Sequence, residues 1–247
     1  MQLFVFFGCG ILMYIILHII LAEKFMDEKE FYLEKLDFWE KLSEKEKDTV
    51  RNNWVMREYK KGQIIHGGER ECLGMITVIS GETRTCIISE EGREVTLFRL
   101  YEGDSCVLSA SCVIDEITFE TLVIAQQDTK LLIITAGAFA SVTQSNIYAR
   151  CYMYELITQR FSAVMWTMQM ILFKGYDRRL ASFLISEYEK SGSKTISMTH
   201  EEIAQHTNSA REVVARMLKR FVTEGLVEIK RGSVTLVDIN ALYELAE

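Results

Sequence analysis

The 247-residue sequence contains no proline, only four histidines and no CxxC pair among its six cysteines. This pattern provides no zinc-type ligand spacing, and it favours reduced thiols in a cytoplasm over a disulfide framework. The sequence also lacks a phosphate-binding loop and a nucleophile with an adjacent base, which argues against an enzyme. Nothing in the pattern explains the absence of proline.

The sequence has no excess of basic residues either, because it contains 28 Lys and Arg and 35 Asp and Glu, for a net charge of −7. Non-specific coating of nucleic acid requires a broad basic surface, so that class of protein is excluded. The charge is uneven, however, because residues 174–232 contain eleven basic and eight acidic side chains. The length and a hydrophobic fraction of 49% are sufficient for two domains with real cores.

Residues 198–237 have the pattern of a helix-turn-helix followed by a β-hairpin. Thr199 with Glu202 fits a capping box, and Ser209 with Glu212 repeats it, which predicts two short helices. Asn208 predicts a tight turn between them, because asparagine tolerates the left-handed backbone conformation.

Apolar residues are expected to hold these two helices together. Small side chains at the bend allow a close approach, and the second helix repeats apolar residues at the spacing that buries one stripe. The residues expected in this contact are Ile203 and Ala204 on the first helix and Val214, Met217 and Leu218 on the second.

The opposite face of the second helix is polar and predicts a surface that reads DNA bases. Arginine can bond bidentately to guanine and glutamate can accept from cytosine, so Arg211, Glu212 and Arg216 are candidates for base contacts. Lys219 and Arg220 suit phosphates. The other predicted DNA-binding residues are Ser209, Lys230 and Arg231.

Gly225 is the predicted cap after the second helix. Two alternating segments follow, residues 226–229 and 234–237, on either side of Lys230, Arg231 and Gly232, which predicts a basic β-hairpin wing. A solvated helix face would carry the same charges, but the caps, the bend and the wing together favour a DNA-binding regulator.

The order SAREVVARMLKR followed by EGLVEIKRGSV resembles the DNA-binding domain of the Crp/Fnr transcription regulators, the family of the cyclic-AMP receptor protein. In that family an Arg-Glu-x-x-x-Arg set reads the operator half-site, and Arg211, Glu212 and Arg216 match this set. The resemblance implies a homodimer bound to an inverted repeat in double-stranded DNA, with half-sites that resemble TGTGA. It also implies RNA polymerase as a partner.

Residues 59–134 form short β-rich runs broken by glycine, which predicts a sandwich or barrel of antiparallel strands. The glycine pattern of this segment resembles the cyclic-nucleotide-binding β-roll of the same family. We therefore expect an α+β protein with a β-roll sensor domain (26–145), a long dimerisation helix (146–175) and a C-terminal winged helix-turn-helix (176–247).

The segment after Gly103-Asp104 departs from the family pattern. Members that bind cyclic AMP have Gly-Glu-Leu there and an Arg that neutralises the phosphate, whereas this chain has Val107, Leu108 and Ser109 and no Arg between Arg99 and Arg150. We therefore expect that this β-roll does not bind cyclic AMP.

An unknown small-molecule or redox effector is expected instead, without a metal or cofactor. The predicted effector pocket consists of Cys106, Ser109, Ser111, Cys112 and Thr118. For the cysteines, packing is the favoured role, because cysteine is among the most often buried residues, and a thiol switch is the alternative. The cysteine cluster of the family's iron–sulfur members is missing, since only Cys9 precedes Cys72.

A long helix is predicted from Ile147 to about Lys174. Residues at two positions of each heptad form one stripe along this helix over four heptads. Such a stripe, called the seam below, favours a dimeric coiled coil over a helix packed only on its own β-roll. The seam residues are Ile147, Cys151, Tyr154, Thr158, Phe161, Met165, Met168 and Leu172, while Met153, Leu156, Val164 and Trp166 are expected to face the β-roll. Gly175 then breaks the helix at a hinge, with Asp177 as the predicted cap of the next helix.

Residues 3–22 form an apolar run whose length matches a bilayer. One interpretation is a membrane span, which would make the protein a membrane-anchored sensor module like the nucleotide-binding domains of channels. The other is that translation starts at Met26, where a charged helical segment with a capping box at Ser43 and Glu46 follows. The wing and the arginine face favour the second interpretation and a cytoplasmic location.

Overall fold

The computed structural model describes residues 31–67, 73–107 and 121–247. The predicted fold class is confirmed, since an N-terminal β-roll is followed by a long helix and a winged helix-turn-helix. Within these residues, no helix combines the length and hydropathy needed to cross a bilayer. The apolar run 3–22 and Met26 lie outside the described residues.

The described part begins with a helical segment that packs on the β-roll. A 3₁₀ helix at Trp39–Lys41 precedes α1 (Glu44–Arg51), whose predicted capping box is present. The carboxylate of Glu46 accepts from the Ser43 N–H at 2.8 Å. Hydrogen bonds to this carboxylate lower the pKa of Glu46 to about 2, and the bond from the Ser43 backbone has the largest effect.

Eight strands occur among the described residues of the β-roll: β1 (Trp54–Tyr59), β2 (Ile64–His66), β3 (Met75–Ser80), β4 (Glu82–Ile88), β5 (Glu94–Tyr101), β6 (Ser105–Cys106), β7 (Leu122–Ala125) and β8 (Thr129–Ile134). They form two four-stranded antiparallel sheets, in the orders β1-β8-β3-β6 and β2-β7-β4-β5. The first strand begins five residues before the predicted start of the β-region, because it pairs along its whole length with β8. Side chains such as Val78, Leu100 and Leu131 fill the space between the sheets.

Two helices follow the β-roll, α2 (Ala136–Ser145) and α3 (Ile147–Phe173). Asn146 caps α3, since its Oδ1 accepts from the N–H groups of Tyr148 and Ala149. The first half of α3 buries one stripe, consisting of Ala149, Met153 and Leu156, in a cluster with the N-terminal helical segment, α2 and strand residues of the roll such as Met75 and Leu132.

The expected contacts of α3 with the roll are confirmed for Met153 and Leu156, and Val164 is partly buried. For Trp166 the expectation is wrong, because its side chain is 58% exposed. The three buried residues of α3 all lie before residue 157, whereas Ala163 and Val164 in the second half are partly buried against the core between the sheets.

The C-terminal domain contains α4 (Tyr176–Ser191), β9 (Thr195–Ile196), α5 (His200–His206), α6 (Arg211–Thr223), β10 (Val227–Lys230), β11 (Ser233–Leu236) and α7 (Ile239–Ala246). Its sheet has the order β10-β11-β9. The cap predicted at Asp177 is wrong, because Gly175 is the capping residue and makes no side-chain cap bond. Asp177 lies inside the first turn, where its carboxylate accepts from the Arg178 N–H and pairs with Arg220 at 3.5 Å.

Asn208 joins the C-terminal domain to strand β5. Its Oδ1 accepts from the Thr96 N–H at 2.7 Å, and its Nδ2 donates to the Thr96 carbonyl at 3.0 Å. The Thr96 hydroxyl donates to the carbonyl of Gln205 at 2.7 Å. Both polar atoms of the Asn208 side-chain amide are therefore hydrogen-bonded to the backbone of Thr96.

Ion pairs surround this hydrogen-bonded contact. The guanidinium of Arg99 on β5 lies between Glu82 at 3.2 Å and Glu187 of α4 at 2.5 Å. Lys190 of α4 reaches Glu82 at 3.0 Å, so one buried carboxylate binds cations from both domains. The side chains of Arg99, Glu82 and Glu187 are largely removed from solvent, which strengthens their interaction relative to surface pairs.

We expect Asn208→Gly to free Thr96 without disturbing the turn. Glycine adopts the left-handed conformation of Asn208 (φ 51°) easily, so the variant removes only the two side-chain hydrogen bonds. Loss of both bonds is expected to lower the free energy of unfolding by about 1–3 kcal/mol. Hydrogen exchange at the Thr96 amide should accelerate, as measured by NMR.

Asn208→Asp separates the two bonds, since its carboxylate can still accept from the Thr96 N–H but has no N–H to donate to the Thr96 carbonyl. It should protect the Thr96 amide less than the native asparagine and more than Asn208→Gly does. Unchanged exchange of the Thr96 amide in Asn208→Gly would contradict the assigned contact.

Candidate nucleic-acid interface

The first helix of the helix-turn-helix has the capping box that the sequence predicts. The Glu202 N–H donates to the Thr199 hydroxyl at 3.2 Å, and the Glu202 carboxylate accepts from the Thr199 N–H at 2.8 Å. Lys61 of the β-roll also binds this carboxylate at 2.8 Å. The hydrogen bond from Lys61, followed by that from the Thr199 backbone, lowers the pKa of Glu202 to about 2.

The second capping box, predicted at Ser209 and Glu212, is wrong. Ala210 is the capping residue of α6 and offers no side-chain cap bond. Helix α6 therefore begins one residue later than Ser209 would require, and the Ser209 N–H instead bonds to the Ala204 carbonyl at 3.0 Å. Glu212 lies in the first turn of α6, where a negative charge interacts favourably with the helix dipole.

The predicted contact between the two helices is confirmed. Ile203 and Ala204 are buried in one cluster with Val214 and Leu218, and Met217 packs against this cluster. The small side chain of Ala204 lies at the bend, as the close approach of two helices requires. This packing directs the other face of α6 to solvent.

The outer face of α6 presents Arg211, Glu212, Arg216 and Lys219 to solvent. Within the described residues, none of these four side chains takes part in an ion pair. Arg220 differs, because its guanidinium binds Glu224 at 2.7 Å and Asp177 at 3.5 Å. These contacts, led by the hydrogen bond to Glu224, raise the pKa of Arg220.

The wing brings two further basic residues near the start of α6. Lys230 and Ser233 face each other across β10 and β11, and Gly232 adopts φ 75° in the turn between them. An open cleft connects the wing to the helix-turn-helix, and it is lined by Thr199, His200, Glu201, Arg211, Ile229, Lys230, Arg231 and Gly232. The structure thus places Arg211 in one cleft with Lys230 and Arg231.

Sequence reasoning missed His200 and Glu201 as residues of this cleft. The capping box marks where α5 begins, but it carries no information about the distance from this helix to the wing. Ser209, predicted as a contact residue, is half-buried in the turn.

The predicted effector pocket is described only at Cys106. This residue lies on β6 opposite Ile76 and is 3% exposed. Ser109, Ser111, Cys112 and Thr118 lie outside the described residues, as do Cys9 and Cys72. Among the residues that the structure does describe, no group of His, Cys, Asp and Glu is placed to hold a metal ion.

The other described cysteines divide between the core and the helix surface. Cys86 is buried, and its thiol donates to the Leu122 carbonyl at 3.7 Å. Burial raises the pKa of the Cys86 thiol, which disfavours the reactive thiolate. Cys151 is exposed on α3. For Cys86 and Cys106 these surroundings support packing.

Comparison with known proteins assigns both parts of the chain. Residues 56–146 match the cyclic nucleotide-binding domain, and residues 178–245 match the Crp-like helix-turn-helix domain. The cyclic AMP receptor protein of Thermus thermophilus is 24% identical over 208 residues, covering 83% of this chain and 94% of that protein. The anaerobic regulatory protein of Haemophilus influenzae is 24% identical over 220 residues, covering 83% and 81%.

A solved structure gives the decisive similarity. A protein from Eubacterium rectale, assigned to the Crp/Fnr transcriptional regulators, is 41% identical, with a TM-score of 0.82. The match covers 86% of this chain and 99% of that protein. With this identity over nearly the whole relative, the chain belongs to the Crp/Fnr family of transcription regulators.

Proposed function

We propose that this protein is a homodimeric transcription regulator that reads an inverted repeat in double-stranded DNA through α6. Regulators of this family bind DNA through the helix-turn-helix and act as dimers. The observation that carries the proposal is the outer face of α6, where Arg211, Glu212 and Arg216 are exposed and make no ion pair within the described residues.

The proposed roles follow from side-chain chemistry. Arg211, Glu212 and Arg216 read base edges, while Lys219 and the wing residues Lys230 and Arg231 bind phosphates. Arg220 contributes to phosphate binding only after exchanging its contacts with Glu224 and Asp177. Ser209, near the start of α6, contacts the DNA backbone. RNA polymerase is the proposed protein partner, and the cytoplasm is the proposed location.

The proposed dimer forms through the exposed stripe of α3. The eight seam side chains are all exposed in the single chain, with Phe161 at 64% and Leu172 at 65%. They lie on a different face of the helix from the stripe of Ala149, Met153 and Leu156 that packs on the roll. A continuous apolar surface of this kind marks an interaction site, and its heptad spacing suits a second copy of the same helix.

We expect Phe161→Glu to convert the dimer into monomers. An unpaired charge in a buried seam is expected to cost about 3–5 kcal/mol. Sedimentation equilibrium measures the change, and circular dichroism reports whether the chain stays folded. Gln159→Glu, on an exposed position off the seam, should leave the dimer intact. An intact dimer in both Phe161→Glu and Met165→Glu would refute the assigned interface.

We expect the operator to contain two half-sites that resemble TGTGA, because the family's base-reading set is matched at α6. Two recognition helices in a dimer lie about one turn of DNA apart, so the half-sites should be about 10 base pairs apart, centre to centre. Selection from random DNA tests this expectation. Recovery of sites without an inverted repeat would contradict it.

The individual roles on α6 can be separated with the selected operator. Arg211→Ala or Arg216→Ala should cost about 1–3 kcal/mol per half-site and relax the preference for one guanine. Lys219→Ala should instead weaken binding to all sequences alike and reduce the salt dependence. Unaltered base preference in Arg216→Ala would refute the proposed readout.

The β-roll is proposed not to respond to cyclic AMP, although one relative is a cyclic AMP receptor protein. No arginine occurs between Arg99 and Arg150, and the segment contains Asp115, Glu116 and Glu120. A cyclic phosphate would meet carboxylates in place of a guanidinium. Calorimetry with cyclic AMP is expected to show no saturable binding, and a micromolar or tighter dissociation constant would overturn the proposal.

A further inference from the structure

A cleft of about 290 Å³ lies at the junction of the two domains. Strand β5, the second half of α3, helix α4 and the turn between α5 and α6 form its walls. It is separate from the effector pocket predicted around Cys106, which is not among its lining residues. Its size is near the lower end of ordinary ligand clefts, about 300–1,000 Å³, so it suits a compact ligand.

Aromatic side chains dominate the apolar lining of the cleft. Phe98 comes from β5, Trp166 from α3 and Phe183 from α4, and Met170 and Ile171 add aliphatic surface. Trp166, which the sequence predicted to pack on the roll, is 58% exposed and borders the cleft. Such walls favour a planar ring over a flexible chain, because aromatic pairs gain energy beyond simple burial.

Two arginines line the cleft, and they differ in their partners. Arg99 is neutralised by Glu82 and Glu187. The Nε and Nη1 atoms of Arg179 are buried, yet they have no hydrogen-bond partner in the described part of the chain. The guanidinium of Arg179 lies 5.4 Å from the ring centroid of Tyr176, a contact that leaves the Nε and Nη1 donors unsatisfied. Buried donors without partners are costly, and a guanidinium matches the geometry of a carboxylate.

His206 supplies a further unsatisfied polar atom. Its ring stacks on Phe183 with centroids 5.5 Å apart, and its Nδ1 is buried without a hydrogen-bond partner among the described residues. Burial, together with the nearby charges of Arg99, Arg84 and Lys190, lowers the pKa of His206 to about 3. The ring is therefore neutral near pH 7 and can donate or accept one hydrogen bond at Nδ1, depending on the tautomer.

We propose that this cleft binds a small aromatic carboxylate, whose ring lies among Phe98, Trp166 and Phe183 and whose carboxylate binds Arg179. His206 provides a further hydrogen bond. Phe98 belongs to the β-roll, and Arg179 and His206 belong to the C-terminal domain. The ligand therefore contacts both domains and stabilises the arrangement in which they are packed together.

Binding is tested on the full-length protein with ring-bearing acids and their neutral amides: benzoate and benzamide, phenylacetate and phenylacetamide, and indole-3-acetate and indole-3-acetamide. We expect at least one acid to bind saturably, with one molecule per chain, in isothermal calorimetry. Its amide should bind at least about tenfold more weakly, because it cannot form a charge-assisted pair with Arg179.

Three variants locate the site. Arg179→Gln should abolish the preference for the acid, whereas Arg178→Gln, which removes an exposed charge from the same turn, should retain it. Ser186→Phe should weaken binding of the acid by filling the cleft from an exposed lining position, and it leaves Arg179 in place. Thermal unfolding confirms that each variant is folded.

The proposal fails if no acid binds saturably, if acid and amide bind equally, or if Arg179→Gln binds the acid as the wild type does. Saturable binding of decanoate with no binding of the aromatic acids would also overturn it.

Discussion

The hydrogen bonds between Asn208 and Thr96 determine where the helix-turn-helix lies relative to the β-roll. They connect the turn itself to the backbone of β5, and Asn208 is a donor and an acceptor in the same contact. A turn bound in this way cannot rotate against the roll without losing both bonds. The position of α6 therefore depends on β5 as well as on the core of its own domain.

The ion pairs at the junction reinforce this arrangement in a different way. Arg99 and Lys190 both bind Glu82, and Arg99 also binds Glu187, so the charges form a connected group across the domain boundary. Removal of Arg99 would leave the buried Glu187 carboxylate without the cation that it binds, which costs more than the pair contributes by itself. In contrast, Lys61 and Glu202 form a more exposed pair, which contributes less.

Much of the fold could be predicted from the sequence, because its signals are local. The capping boxes of α1 and α5 need only residues three apart, and both are present. The predicted left-handed turn at Asn208 and the start of α3 at Ile147 are also confirmed. The box predicted at Ser209 failed because Ser209 and Glu212 have the right spacing but the helix begins one residue later.

The domain junction could not be predicted, because its contacts join residues distant in sequence. Thr96 and Asn208 are 112 positions apart, and neither residue type signals a partner of this kind. The same is true of Trp166, whose spacing on α3 fits a residue packed on the roll. Its side chain is exposed and borders the cleft beside β5, and periodicity does not report which positions of α3 lie at that cleft.

The proposed dimer seam and the proposed ligand cleft lie on different faces of helix α3. The seam runs through residues such as Phe161 and Leu172, whereas Ala163, Trp166 and Met170 border the cleft on another side of the helix. A ligand in the cleft would therefore not compete with a partner helix for the same side chains. It would instead contact α3, β5 and α4 together, so its binding energy would favour one position of the C-terminal domain on a fixed dimer axis. In the proposed dimer, the spacing of the two α6 helices would depend on that position, so the cleft is placed to couple a small acid to DNA affinity.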